Sequence, residues 1–199
     1  MQTLLCHPAT SAPVDIAIKA GVSCQKTGAL VFSYVLEGGA LRTVRVPVAV
    51  SGASPRRTER LWEQTCFEAF LAAPREAAYR EFNFSPSGDW AAYDFSGYRE
   101  NGKIAQLAKA PRIRVRAMPN RLELTAYVSL ADALFFSETL EIGLSAVIEN
   151  AKDASLTCWA LRHRAERPDF HDRGGFIHAL NNAYRARTAS SRQKRSGTS

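Results

Sequence analysis

Apolar and polar positions alternate along most of this chain in short runs separated by turn residues. That is the period-two pattern of β-strands with one face buried. The clearest runs are Thr65–Ala72 (TCFEAFLA), Tyr79–Ser85 (YREFNFS) and Asp89–Phe95 (DWAAYDF). The last two flank Ser85-Pro86-Ser87-Gly88, which suits a tight turn with Gly88 supplying a positive φ. Upstream, Val14–Ser23 and Ala29–Leu36 read as an opening hairpin, and Leu41–Val50 as a third strand in which Pro47 marks an edge or a bulge. Downstream, Arg112–Ala117 and Arg121–Leu130 flank Met118-Pro119-Asn120. Thr139–Ile148 and Ser155–Leu161 flank a second turn at Glu149–Asp153. Ala131–Phe136 could make one helical turn, and Phe176–Arg187 is a helix candidate without a clean apolar stripe. About ten strands at this spacing predict an all-β chain folded as an antiparallel two-sheet β-sandwich.

At 199 residues, 46% of them apolar, the chain can bury a full core as one domain without staples. The expected domain is 1–183, followed by a basic disordered tail at 184–199. The formal charge of +7 is mostly a property of that tail, where Arg185, Arg187, Arg192, Lys194 and Arg195 lie and no acidic residue follows Asp172. Without them roughly +2 remains, which argues against a nucleic-acid partner, whose basic residues would be spread over the folded surface. No stretch approaches the ~18 apolar residues of a membrane span, so no membrane partner is expected. The opening MQTLLCHPATSAPVD lacks a signal peptide's basic start and long apolar run. The chain therefore reads as cytoplasmic, with Cys6, Cys24, Cys66 and Cys158 as free thiols. None of the four forms a CxxC pair, so a zinc site has no support.

No nucleophile elbow, phosphate-binding loop, dinucleotide fingerprint or zinc-protease motif is present, which weakens a catalytic reading. The block Leu61–Arg99 is the most informative. Alternation puts Phe67, Ala69 and Leu71 on one face of their strand and Cys66, Glu68 and Phe70 on the other. On the next strand Tyr79, Glu81, Asn83 and Ser85 share a face opposite Phe82 and Phe84. Carboxylates and amides in mid-sheet beside aromatic rings suit the floor of a polar ligand site, where rings stack on a ligand's apolar face. Trp62, Trp90 and Tyr98 are the stacking candidates, and Glu68, Glu81, Asn83 and Arg99 the hydrogen-bonding ones. The plain alternative is a sheet whose outer face meets water, with Trp62, Trp90 and Trp159 in the core. Glu68 and Glu81 could also form a glycosidase pair. A second cluster, His163 with Asp169 and His171, could hold haem iron or a metal, or else tie down a loop. His7 and His178 carry no spacing argument and read as surface residues.

The same segments resemble the bacterial DOMON-like proteins, relatives of the family-9 carbohydrate-binding modules. The resemblance rests on LWEQTCFEAFL, EFNFSPSGDWAAYDFSGYR after Tyr79, WALRH and PDFH, and runs from Leu5-Cys6-His7-Pro8 to Phe176. It implies a jelly-roll-like sandwich and recognition of a sugar or of haem, with calcium near the sugar in some relatives. Glu68 matches the acidic residue of the family's CxExF strand, and Asn83, Pro86 and Gly88 match its Asn…Pro…Gly turn. Thr65 stands where the sugar modules often carry an acidic residue. Haem-binding members use Met and His axial ligands, and here Met1 is terminal and Met118 lies in a turn. The expected function is non-catalytic binding of a carbohydrate or sugar-derived metabolite, with no resident cofactor. Haem or metal binding and a protein-interaction scaffold are the alternatives.

Overall fold

The computed structural model describes residues 1–11, 15–26, 28–52, 54–133 and 139–181. The strands are β1 (Gln2–Cys6), β2 (Ala17–Cys24), β3 (Ala29–Glu37), β4 (Cys66–Ala72), β5 (Tyr79–Phe84) and β6 (Trp90–Phe95). They continue with β7 (Lys103–Ile104), β8 (Arg112–Met118), β9 (Arg121–Ser129), β10 (Thr139–Glu149), β11 (Leu156–Ala160) and β12 (His178–Asn181). The remaining named elements are short 3-10 turns, so among the described residues no helix is long and apolar enough to cross a membrane.

Pairing runs without a break in the order β7-β6-β5-β4-β10-β11-β1-β2-β3-β9-β8, and β12 adds to β10. Every pairing of named strands is antiparallel, as the alternating pattern anticipates. The link between the two halves is β1: Gln2, Thr3 and Leu4 pair with β2, while Leu5 and Cys6 pair with β11. The result is one strongly curled sheet whose halves face each other across the core. Phe32 of β3 lies 5.8 Å from Phe84 of β5 between ring centres, and Tyr34 lies 5.0 Å from Phe67 of β4. The Tyr34 hydroxyl donates to the Glu68 carbonyl at 2.6 Å, which satisfies the polar end of a fully buried ring.

The β5–β6 turn forms as the sequence expects, with Gly88 at φ 91. Four readings need correction. Leu41–Val50 is not a strand. Gly39–Thr43 forms a 3-10 turn, Leu41 and Val44 reach the core, and Val48 and Val50 stay exposed. The segment Gln2–Cys6, not singled out as a strand, is the one that joins the two halves. Residues 178–181 of the helix candidate are strand β12, because they continue the ladder along β10. His7 is 1% exposed rather than on the surface. Its Nδ1 accepts from the Ala9 amide at 3.0 Å, its Nε2 lies 3.1 Å from the Ala165 carbonyl, and its ring meets that of His163 edge-on. The 184–199 tail and the 182–187 part of the helix candidate lie outside the described residues, as do residues 134–136 of the other helical candidate. Leu130–Ala133 at its start is a 3-10 turn.

The charged side chain of Arg80 is enclosed at the core. Arg80 is 2% exposed, holds Asp94 with two bonds of 2.6 and 2.9 Å, and donates to the Asp132 carbonyl. A guanidinium fits there because its planar fork is matched bidentately by a carboxylate. Trp159 is core as well, with its indole N–H satisfied by Thr157 Oγ1 at 2.9 Å.

Candidate functional site

Register decides which side chains share the outer face of β10, β4, β5 and β6. Directly paired residues project to the same side. One row is Ser145–Glu68–Asn83–Ala91, and the next is Gly143–Phe70–Glu81–Tyr93. Phe95, paired with Tyr79, and Val147, paired with Cys158, extend the same face. An outer face in water would leave Glu68 and Glu81 exposed. They are 2% and 5% exposed, because the chain between β11 and β12 folds back over the sheet.

That cover is held by specific contacts. Phe176 packs on Phe70 and lies so close to β10 that a Cβ at Gly143 would stand 2.8 Å from its ring. The Asp172 carboxylate accepts the Gly174 amide at 2.8 Å and starts a 3-10 turn. His171 reaches down between Phe70 and Phe95, with ring centres 5.2 and 5.1 Å away, and its Nδ1 lies 2.7 Å from the Tyr79 hydroxyl. Asp169 accepts from the Tyr98 hydroxyl at 2.6 Å, from Arg99 at 2.9 Å and from the His171 amide at 3.1 Å. Arg99 has φ 55 and its amide donates to the Tyr79 hydroxyl at 3.1 Å. A non-glycine residue in the left-handed region is held there by its surroundings, here by this network.

Between sheet and cover lies a cavity of about 530 Å³. Glu68 and Glu81 are on its floor, with Tyr93, Phe95, Phe170 and Trp62 among its aromatic walls and Arg99 and His171 at its polar side. Trp62 stands at the rim, 38% exposed, its ring edge-on to Tyr93 at 5.7 Å. Pockets of this size, mostly apolar with a few convergent polar groups, suit small molecules.

Burial controls the charge of the floor. Desolvation first, and then the neighbouring Glu81 charge, push the Glu68 carboxyl well above the carboxylate range; the Ser145 hydroxyl, donating at 3.3 Å, and Arg99 oppose this. Desolvation pushes Glu81 up to about 7 against the Asn83 amide, which donates to its Oε1 at 2.6 Å, and against Arg99. Desolvation, and then the Arg99 charge, push His171 down to about 4, so its imidazole is neutral near pH 7. The Arg99 amide donates to the Tyr79 hydroxyl, so that hydroxyl can donate onward to His171 Nδ1. The His171 proton then sits on Nε2, 3.8 Å from Glu81 Oε2.

The structure brings Trp62, Glu68, Glu81 and Arg99 to the cavity wall. It does not bring Trp90. Pairing of Phe84 with Trp90 puts that indole on the inner face, where it packs against the core. Asn83 is fully buried and acts through Glu81 rather than lining the cavity. Tyr98 lies outside, 55% exposed, bonded to Asp169. The His163, Asp169 and His171 set does not converge. His163 Nε2 is 2.8 Å from the Leu5 carbonyl, while His171 faces Tyr79 and Glu81. Among the described residues no three His, Cys, Asp or Glu side chains could hold a metal ion together. Tyr93, Phe95, Cys158 and Phe170 were not singled out. The first two were within reach, since they share parity with Glu81's row, but a cover folded back from 162–177 leaves no local pattern.

No protein-family model matches the chain, and no curated protein matches it in sequence. Solved structures do. A putative carbohydrate-binding protein from Bacteroides uniformis ATCC 8492 has a TM-score of 0.63 at 15% identity, over 90% of this chain and 84% of that one. A family-9 carbohydrate-binding module from Caldicellulosiruptor kristjanssonii, in complex with cellotriose and with glucose, gives 0.48 and 0.49. The identities are 13% and 12%, over 89% of this chain and 80% and 82% of those chains. The class defined is one of architecture: an all-β antiparallel fold shared with the Bacteroides uniformis protein.

Proposed function

We propose that this chain is a non-catalytic binding module for a carbohydrate or a sugar-derived metabolite, held in the cavity between the β4–β5–β6 face and the 162–177 cover. The observation that carries the reading is the composition of that cavity: aromatic rings stand around two buried carboxyl groups. A pyranose has an apolar face for a ring to cover and a rim of hydroxyls for carboxyl groups to bond. Because Glu68 and Glu81 are held above the usual carboxylate range, the pair can both donate and accept near pH 7, as a hydroxyl requires. The likeness to the Bacteroides uniformis protein supports the reading through its fold. Membership of the DOMON-like group belongs to the same proposal and rests on Cys66, Glu68, Phe70, Asn83, Pro86 and Gly88 in their spacing.

The test is a titration of the protein with a panel of mono- and oligosaccharides, followed by tryptophan fluorescence and calorimetry. Trp62 is the tryptophan that lines the cavity, so a bound sugar should give a saturable change. Absence of a response to every sugar in both methods would overturn the proposal.

A further inference from the structure

The charges around the cavity do not balance. Glu68 and Glu81 are both more than nine-tenths buried and both face the cavity. Glu68 pairs with Asn83, and Glu81 lies two residues before it, so the carboxyl groups are diagonal neighbours on adjacent strands, within reach of one small group. Their bonding partners are neutral: Ser145 for Glu68, and Asn83 for Glu81. Glu68 Oε1 and Glu81 Oε2 accept no hydrogen bond from a described residue, His171 Nε2 standing 3.8 Å from the latter. The guanidinium on the wall is Arg99, which is already bonded to Asp169 at 2.9 Å. The other titratable groups nearest the pair are the Cys66 and Cys158 thiols and the Tyr79 and Tyr93 phenols. Burial raises the pKa of each, and none supplies a positive charge.

A buried carboxylate is stable when a cation and hydrogen bonds replace its lost water. The chain supplies the hydrogen bonds, while the nearby cation, Arg99, acts on the pair from a distance and bonds to Asp169 instead. We infer that the cavity selects a saccharide carrying a free ammonium group, an amino sugar whose ammonium sits between Glu68 and Glu81 while its ring lies along the aromatic wall. The inference rests on the reading of the cavity as a saccharide site and adds the chemical class of the sugar. An ammonium has three donors, enough for the two free carboxyl oxygens. Charge-assisted bonds of this kind are stronger than those of a hydroxyl. A neutral sugar would leave the pair holding its own proton.

The experiment is calorimetry of the whole chain, at about pH 7 and low salt, with three hexoses of gluco, galacto and manno configuration. Each is tested as the parent sugar, the free 2-amino form and the N-acetyl form. At least one amino sugar should bind more than about tenfold more tightly than its parent and its N-acetyl form. Glu81→Gln should remove that preference while the variant stays folded. Comparison of the three forms needs no variant, so it decides the matter even if a substitution at the floor fails to fold. Parent and N-acetyl sugars binding as tightly as the amino form would overturn the ammonium inference and leave the saccharide reading standing. An alicyclic amine without hydroxyls binding as tightly as the amino sugar would overturn the saccharide reading, and this inference with it. Silence from every compound would overturn both.

Discussion

Replacing Glu81 by glutamine keeps an oxygen acceptor for the Asn83 amide and removes a carboxyl that burial pushes from 4.5 up to about 7. Between those two values the folded chain binds more protons at this position than the unfolded chain. Stability contributed by the group is therefore greatest in acid and is lost as pH rises through 7. The loss between about pH 5 and pH 8 is about 2–3 kcal/mol, since each tenfold difference in proton affinity between folded and unfolded chain is worth about 1.4 kcal/mol. Glu81→Gln carries no such loss. It should match the parent near pH 5 and exceed it by about 2–3 kcal/mol near pH 8, a gain of roughly 4–12 °C in melting temperature for a domain of this size. Glu68 titrates in the same sense in both proteins, and less strongly in the variant, where the Glu81 charge that raises it is gone. The assay is thermal unfolding followed by circular dichroism at both pH values. A variant that is equally stable or less stable at pH 8, relative to its standing at pH 5, would refute the claim that the floor carries a desolvated carboxyl pair.

Two further substitutions probe how the site is built. Arg80→Ala leaves Asp94 without its guanidinium at the core and should cost about 3–5 kcal/mol in urea unfolding; a cost below about 1 kcal/mol would show that the enclosed pair is dispensable. Gly143→Ala puts a methyl 2.8 Å from the Phe176 ring and should destabilise by about 1–3 kcal/mol, with faster proteolysis in 162–177; unchanged melting and proteolysis would show that Phe176 does not pin the cover.

Local pattern reached the strands whose two faces differ. Alternation in Thr65–Ala72 and Tyr79–Ser85 separated Phe67, Phe82 and Phe84, which entered the core, from Glu68, Glu81 and Asn83, which did not. Trp90 turned on a single residue. Gly88 donates to the Ser85 carbonyl in the turn, but Ser85 pairs with Asp89, one residue further on, so Phe84 stands opposite Trp90 and the indole points inward. A plain turn ending at Gly88 would set Trp90 beside Asn83, which is why the sequence placed it on the binding face. The pattern in Leu41–Val50 misled because Val44, Val46, Val48 and Val50 mimic a strand, while the chain there leaves the ladder after a 3-10 turn. The closure of the site was not readable. Asp169 and Arg99 meet across 70 residues of sequence, and Phe176, just after a 3-10 turn, seats against Gly143 of β10. The burial that gives Glu68 and Glu81 their raised pKa values is a consequence of those distant contacts.

The central claim is that a sugar lies against the aromatic wall of this cavity, and calorimetry of wild type and Trp62→Ala with the tightest-binding saccharide tests it most directly. Trp62 is at the rim, 38% exposed on a 3-10 turn, so its removal should leave melting nearly unchanged. Loss of its ring contact should weaken binding by roughly tenfold, the worth of about 1–1.5 kcal/mol of aromatic contact. Equal affinity in the two proteins would contradict the account.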